Sequence, residues 1–320
     1  KMKFDWLSFT NAPATNGRSL FISMHGGGGA PKAVNDSQWR NQVQLGKSYQ
    51  PSEGIYVAPR APTDAWNLWH QAHIDQFFDR LIENFVVLEN VNGNRVYILG
   101  YSAGGDGVYQ LGPRMADRWA AASMMAGHPN EASPLGLRNV PFAIQVGGND
   151  AAYKRNAVAA EWGKKLDALQ KGDPAGYPHF TEIHAGKPHW MGLEDKKAIP
   201  WMEQFTRNSL PEKIVWQQDD VTHARFYWLA RPNEEVKRGQ QIIAERAGQT
   251  ITLSSPNVQT VTVRFNDQMV NLDREVVIRV NDRELWAERA PRTIATLART
   301  LAERGDTNLT FSAEVTVTLR

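Results

Sequence analysis

Residues 95–105, Arg-Val-Tyr-Ile-Leu-Gly-Tyr-Ser-Ala-Gly-Gly, constrain this chain more tightly than any other stretch. An apolar, strand-like run breaks at Gly100 and presents Ser102 between small neighbours. A serine on a sharp strand-to-helix turn is crowded from both sides. The positions two before and two after it must then be nearly free of side chain, and here they are Gly100 and Gly104. The pattern Gly-x-Ser-x-Gly occurs in many unrelated proteins; its weight here comes from the strand before it and the helix pattern after it. Ser102 is the candidate nucleophile.

The chain ahead of Ser102 holds what such a nucleophile needs. Residues 20–24, Leu-Phe-Ile-Ser-Met, read as a short buried strand running into His25-Gly26-Gly27-Gly28-Gly29. Glycines let main-chain N–H groups face a cavity unobstructed, which suits a developing oxyanion. A phosphate-cradling loop would need a lysine followed by Ser or Thr, whereas Lys32 is followed by Ala33. Residues 54–59 read as another buried strand, stopped by Pro59 and Pro62. Across 73–90, Ile74, Phe77, Phe78, Leu81, Ile82, Phe85 and Val86 recur at three- and four-residue steps and predict an amphipathic helix. The strand before Ser102 then completes a parallel strand–helix–strand crossover.

Beyond Ser102 the pattern predicts a helix over 103–111, interrupted by Pro113, and strands over 119–126 and 140–146. A helix over 157–169, a strand over 180–185 and a last helix over 193–206 follow. This alternation predicts an α/β domain covering residues 1–210. From Pro211 the texture changes. Residues 258–265, 275–280 and 315–319 alternate apolar and polar, with Asn266-Asp267 and Asn281-Asp282 supplying turn chemistry. Residues 211–320 therefore read as a separate, mostly antiparallel β-rich domain with one helix near 291–304.

Composition removes whole classes of function. The 320 residues contain no cysteine, which excludes disulfides, thiolate catalysis and zinc–thiolate sites together. Net charge is +2; from Pro211 onward there are 15 basic and 15 acidic residues, against 21 and 19 before it. Neither part carries the excess positive charge of a nucleic-acid or anionic-membrane binder. No run approaches the roughly 18 to 20 apolar residues that span a bilayer. The first residue is Lys1 and no signal-like segment opens the chain, so an extracytoplasmic location remains compatible through a signal lost upstream.

A serine hydroxyl is a poor nucleophile at neutral pH and requires a base within hydrogen-bond reach, itself oriented by a carboxylate. In an α/β sheet these groups stand on loops at the carboxyl ends of strands. Asp150 is the first carboxylate after the strand over 140–146, and His189 lies on the loop after the strand over 180–185. Asp150 is preferred to Asp167 and Asp173, which fall in or beyond a helix. His189 is preferred to His184, still within the strand, and to His179, which precedes it. His128 ends another strand, near the site by position but more in keeping with a structural role. A histidine base predicts activity that rises through roughly pH 6 to 7.

The combination of His-Gly-Gly-Gly at 25–28, Gly-Tyr-Ser-Ala-Gly-Gly at 100–105, Gly-Gly-Asn-Asp at 147–150 and Lys-Pro-His-Trp at 187–190 resembles the α/β-hydrolases. Within them it is most similar to esterases of the polyhydroxybutyrate depolymerase, feruloyl esterase and dienelactone hydrolase kind. The resemblance covers about residues 20–210. It implies a serine esterase with the triad Ser102, Asp150 and His189, acting on a small or polymeric ester without a cofactor or metal. It also implies an oxyanion hole built from the amide of Ala103 and one among Gly26, Gly27 and Gly28. The family usually carries one or two antiparallel strands ahead of the oxyanion motif, and here residues 4–9 offer one. A peptidase using the same triad, or a non-catalytic scaffold whose β domain does the work, are the alternatives.

Other features have two readings. Trp66, Trp69 and His70, on the loop over 60–71, either line a substrate pocket or serve as core and cover; Tyr101 and Trp190 complete the pocket candidates. His70, His73 and Asp75 match metal-ligand spacing only weakly. Asp106, four residues after Ser102, suits the helix N-terminus better than catalysis. Arg304-Gly305-Asp306 reads as a helix end capped by Gly305. The 11 tryptophans suit burial better than a carbohydrate-binding surface.

Overall fold

The computed structural model describes residues 2–12 and 16–319. The chain divides into two compact units, Lys1–Arg207 and Asn208–Arg320. Among the described residues no helix is long and apolar enough to cross a membrane.

The first unit is built on a seven-stranded sheet. Its strands are β1 (Lys3–Phe9), β2 (Arg18–Met24), β3 (Gly54–Arg60), β4 (Val91–Tyr101), β5 (Ala121–Met125), β6 (Phe142–Gly147) and β7 (His179–His184). They lie in the order β1-β3-β2-β4-β5-β6-β7. Only β1 is antiparallel, pairing with β3; every other neighbouring pair is parallel. All seven residues of β3 and all five of β5 are buried, which is why these strands are mostly apolar and do not alternate: a parallel sheet is covered on both faces. Residues 4–9, expected to offer one antiparallel strand, lie within β1 ahead of the glycine loop.

The helices of this unit are α1 (Lys32–Tyr49), α2 (His73–Glu89), α3 (Ala103–Arg114), α4 (Arg155–Gly172) and the short α5 (Ala198–Met202). In α2, Ile74, Phe78, Leu81, Ile82 and Phe85 form the buried stripe that the periodicity predicts, with Asp75 buried beside them and paired with Arg114 at 2.5 Å. Helix α1 carries no such stripe. Its buried residues are Asn35, Gln42, Gly46 and Tyr49, so apolar periodicity cannot reveal it. Two expectations need correction. Pro113 does not interrupt α3, which runs on to Arg114: the proline removes the single N–H that would have reached back to Tyr109 O, and the helix ends one residue later. The helix expected over 193–206 is a 3₁₀ turn, Glu194–Lys197, followed by only five residues of α5.

The second unit has two sheets. One has four strands, β9 (Arg225–Phe226), β10 (Leu229–Ala230), β13 (Thr260–Phe265) and β16 (Ala313–Thr318). The other has five: β8 (Lys213–Gln217), β11 (Gln241–Ala247), β12 (Thr250–Ser254), β14 (Val276–Val280) and β15 (Arg283–Glu288). Only β12 and β14 pair in parallel. Burial alternates along β12, as the sequence pattern demands of a strand with one face inward. The single α-helix described here, α6 (Ile294–Arg304), starts where Thr293 accepts a hydrogen bond from the amide of Thr296 and ends at Gly305 in the left-handed conformation.

Candidate active site

Strands β2, β4, β6 and β7 run parallel, so the loops that follow them emerge at one edge of the sheet, bringing His25–Gly29, Ser102, Asp150 and His189 to the same end. Ser102 has φ 58° and ψ −121°, outside the regions an ordinary L-residue occupies. Its amide donates to Met125 O at 2.9 Å and its carbonyl accepts from Asp106 N at 3.0 Å. The flanking glycines are required sterically. A Cβ on Gly100 would lie 2.3 Å from Gly104 O, and one on Gly104 would lie 2.0 Å from Met24 O.

Ser102, His189 and Asp150 form a continuous chain of hydrogen bonds. His189 Nε2 stands 3.0 Å from Ser102 Oγ, and His189 Nδ1 stands 2.6 Å from Asp150 Oδ2. Asp150 is almost fully buried, while the His189 side chain is 42% exposed. With Nδ1–H donated to the carboxylate, Nε2 is left to accept the serine proton. The two supporting loops are laced together: Gly148 N donates to His184 O at 2.8 Å and Asn149 N to Lys187 O at 2.9 Å. They approach so closely that a Cβ on Gly147 would meet Pro188 O at 2.1 Å. Tyr101 Oη donates to His189 O at 2.7 Å and accepts from Met191 N at 3.0 Å, holding the histidine loop against the serine turn. The passed-over histidines are engaged elsewhere: His184 Nε2 lies 3.0 Å from Gln145 Oε1, and His179 Nε2 lies 3.1 Å from Asp167 Oδ1.

The glycine loop is held from within. His25 is fully buried; its Nδ1 donates to Gly26 O at 2.6 Å and its Nε2 accepts from Ala61 N at 3.1 Å. Burial pushes its pKa down to about 4, which keeps the ring neutral. The amide of Gly28 donates to Asn35 Oδ1 at 2.8 Å and is therefore engaged within the protein. Gly27 has φ 103°, and a Cβ there would fall 2.2 Å from Asn35 Oδ1. Ala103 opens α3, and its amide is one of the first-turn donors without an acceptor inside the helix.

Two cavities adjoin the serine turn. The larger, about 680 Å³, is lined by Gly26, Gly27, Tyr101, Ser102, His189 and Trp190, and by Val34, Gln38, Asn41, Gln42, Leu45 and Ser48 of α1. The smaller, about 360 Å³, is lined by Gly27, Gly28, Trp66, Ala103, Asp106, His128, Asn130, Tyr153 and Arg155. Of the pocket candidates, Tyr101, Trp190 and Trp66 therefore stand in cavity walls. Trp69 and His70 do not: Trp69 is wholly buried with Nε1 donating to His25 O at 2.9 Å, and His70 is buried with its carbonyl accepting from Arg114. These two are core, as apolar burial of a large ring favours. Asp75 is engaged by Arg114. Asp106 accepts from His128 N at 2.6 Å, tying α3 to the loop after β5, and burial pushes its pKa up to about 6. The amide-bearing face of α1 and Arg155 escaped the sequence reading; the first has no apolar period and the second belongs to no motif.

A mostly parallel sheet with a serine at positive φ on the sharp turn between strand and helix is the arrangement of the α/β-hydrolase class. No family model and no curated protein sequence matches the chain. Among solved structures, it is similar to a thermostable esterase at TM-score 0.49 and 17% identity, covering 64% of this chain and 59% of that one. It is likewise similar to esterase PE8, at TM-score 0.49 and 16% identity, with 64% and 99% covered. A mutant of the feruloyl esterase module from Clostridium thermocellum, complexed with sinapinate, gives TM-score 0.42 and 15% identity, with 64% and 87% covered.

Proposed function

We propose that the protein is a serine hydrolase that cleaves carboxylic esters through an acyl-enzyme intermediate. The observation that carries this reading is the unbroken chain from Asp150 Oδ2 through His189 to Ser102 Oγ, with the serine on a strained turn. Ser102 Oγ attacks the ester carbonyl carbon as His189 Nε2 takes the hydroxyl proton, and Asp150 steadies the imidazolium. The carbonyl oxygen becomes an oxyanion facing the amides of Ala103 and of Gly26 or Gly27. The carbon–oxygen bond to the alcohol then breaks, and His189 returns the proton to the leaving oxygen. Water, deprotonated by His189, repeats the sequence on the acyl-enzyme and releases the acid. We assign this chemistry to a catalytic domain over residues 1–210 and an accessory role to residues 211–320.

The test is labelling with a fluorophosphonate probe followed by peptide mapping. Labelling at Ser102 that disappears in His189→Ala supports an activated serine; no labelling of well-folded protein refutes it. Matched ester and amide substrates then separate an esterase from a peptidase, because a peptidase retains substantial amide turnover.

A further inference from the structure

We propose that the acyl half of the substrate carries a carboxylate, and that Arg155 in the smaller cavity binds it. The inference rests on the esterase reading and adds the substrate class. A leaving alcohol must receive its proton from His189 Nε2, so it occupies the larger cavity, which His189 and Ser102 line. That wall offers amides, a hydroxyl, Trp190 and aliphatic groups, and no Lys, Arg, Asp or Glu. The acyl carbon points away from the leaving oxygen. Its way out lies past Gly27 and Ala103 into the smaller cavity, whose wall includes neither Ser102 nor His189.

There the charged groups are Arg155 and Asp106, with His128 beside them. Two successive residues in the left-handed conformation, Tyr153 and Lys154, deliver Arg155 to the start of α4. Its side chain is 12% exposed, Nη1 stands 3.8 Å from Asp150 Oδ1, beyond hydrogen-bond reach, and Nε is buried with no partner. The guanidinium carbon sits 4.8 Å from the centre of the Tyr153 ring. The Nε is shut off from solvent and Asp150 is met only at ion-pair distance, so the terminal N–H groups are the ones left for an acceptor in the cavity. A carboxylate is the acceptor that the planar guanidinium fork fits with two parallel hydrogen bonds. Asp106 opposes an anion, but its carboxylate already accepts from His128 N. Trp66 and Tyr153 supply flat apolar walls for the chain that links the carboxylate to the ester.

The experiment measures kcat/KM by pH-stat for monomethyl esters of succinic, glutaric and adipic acid beside methyl butanoate, pentanoate and hexanoate. The wild type is expected to favour the carboxylated member of at least one pair by tenfold or more. In Arg155→Met that preference falls at least tenfold, and in Arg155→Lys, which keeps the charge but loses the fork, severalfold. A wild type that prefers every neutral ester overturns the proposal. So does a loss in Arg155→Met that is equal for both members of each pair, because the arginine would then only position Asp150. Should the wild type turn over neither series, the esterase reading fails separately, and calorimetric titration with the three free dicarboxylates decides. Saturable binding lost in Arg155→Met supports the carboxylate site, and its absence overturns it.

Discussion

His25 and His189 stand on loops at the carboxyl ends of two parallel strands of one sheet, in opposite surroundings. Both nitrogens of His25 are engaged by the backbone of its own neighbourhood, Gly26 O and Ala61 N, and the ring is fully buried. His189 is anchored through Nδ1 to Asp150, while Nε2 faces Ser102 and the larger cavity from a partly exposed ring. The same side chain is thus a strut in one loop and, in the proposed mechanism, a proton carrier in the other. What separates them is whether one nitrogen is left free to exchange a proton.

Removing the reactive pair should break this contrast most sharply. Ser102→Ala and His189→Ala should each lower ester turnover by about 10³-fold or more and abolish fluorophosphonate labelling. His25→Gln, tested beside them in the same assay, should keep measurable labelling. Next is Asp150→Asn, which preserves shape but reverses the orientation of the imidazole proton; kcat should fall by about 10²- to 10⁴-fold with the melting temperature nearly unchanged. Gly27→Ala drives a Cβ into Asn35 Oδ1 and strains a residue at φ 103°. It should displace the oxyanion donor and reduce kcat by about 10- to 10³-fold, more than it raises KM.

The smallest effect concerns stability. His25 takes up a proton near pH 4 when folded and near 6.5 when unfolded, so between those values the unfolded chain binds more protons. Its contribution is whole above about pH 6.5 and is lost as the pH falls towards 4, an amount on the order of 3 kcal/mol. At pH 7, His25→Gln should destabilise by about 1–3 kcal/mol. The gap between wild type and variant, measured by urea unfolding, should narrow steadily from pH 7 to pH 4. A constant gap would show that His25 titrates as it does in the unfolded chain.

Much of the site was legible because its demands are local. Gly100 and Gly104 stand beside Ser102 in the chain, and the clash that excludes side chains there arises within a few residues. Asp150 and His189 were singled out because each lies on the loop after a strand that the sequence pattern predicts, and both strands form. The errors fell where long-range packing decides. Trp69 and His70 share one loop with Trp66, yet they are buried while Trp66 lines the smaller of the two cavities; nothing in their spacing distinguishes them. Helix α1 has little apolar rhythm because much of its inward side is made of amides, with Gln42 Nε2 donating to Ser23 Oγ at 2.7 Å and Asn35 holding the glycine loop.

By itself, the sequence determined most of the alternating strands and helices, α1 excepted, together with the strained serine turn and the glycine loop, since periodicity and backbone sterics act between near neighbours. Tertiary structure alone decided three things: that Gly28 lends its amide to Asn35, that α1 walls the larger cavity with neutral polar groups, and that Arg155 lies 3.8 Å from Asp150 with its buried Nε unpaired. Each depends on which distant segment arrives at a given point. Hydrogen bonding and burial are set there by the packing of the whole sheet, not by the residues on either side.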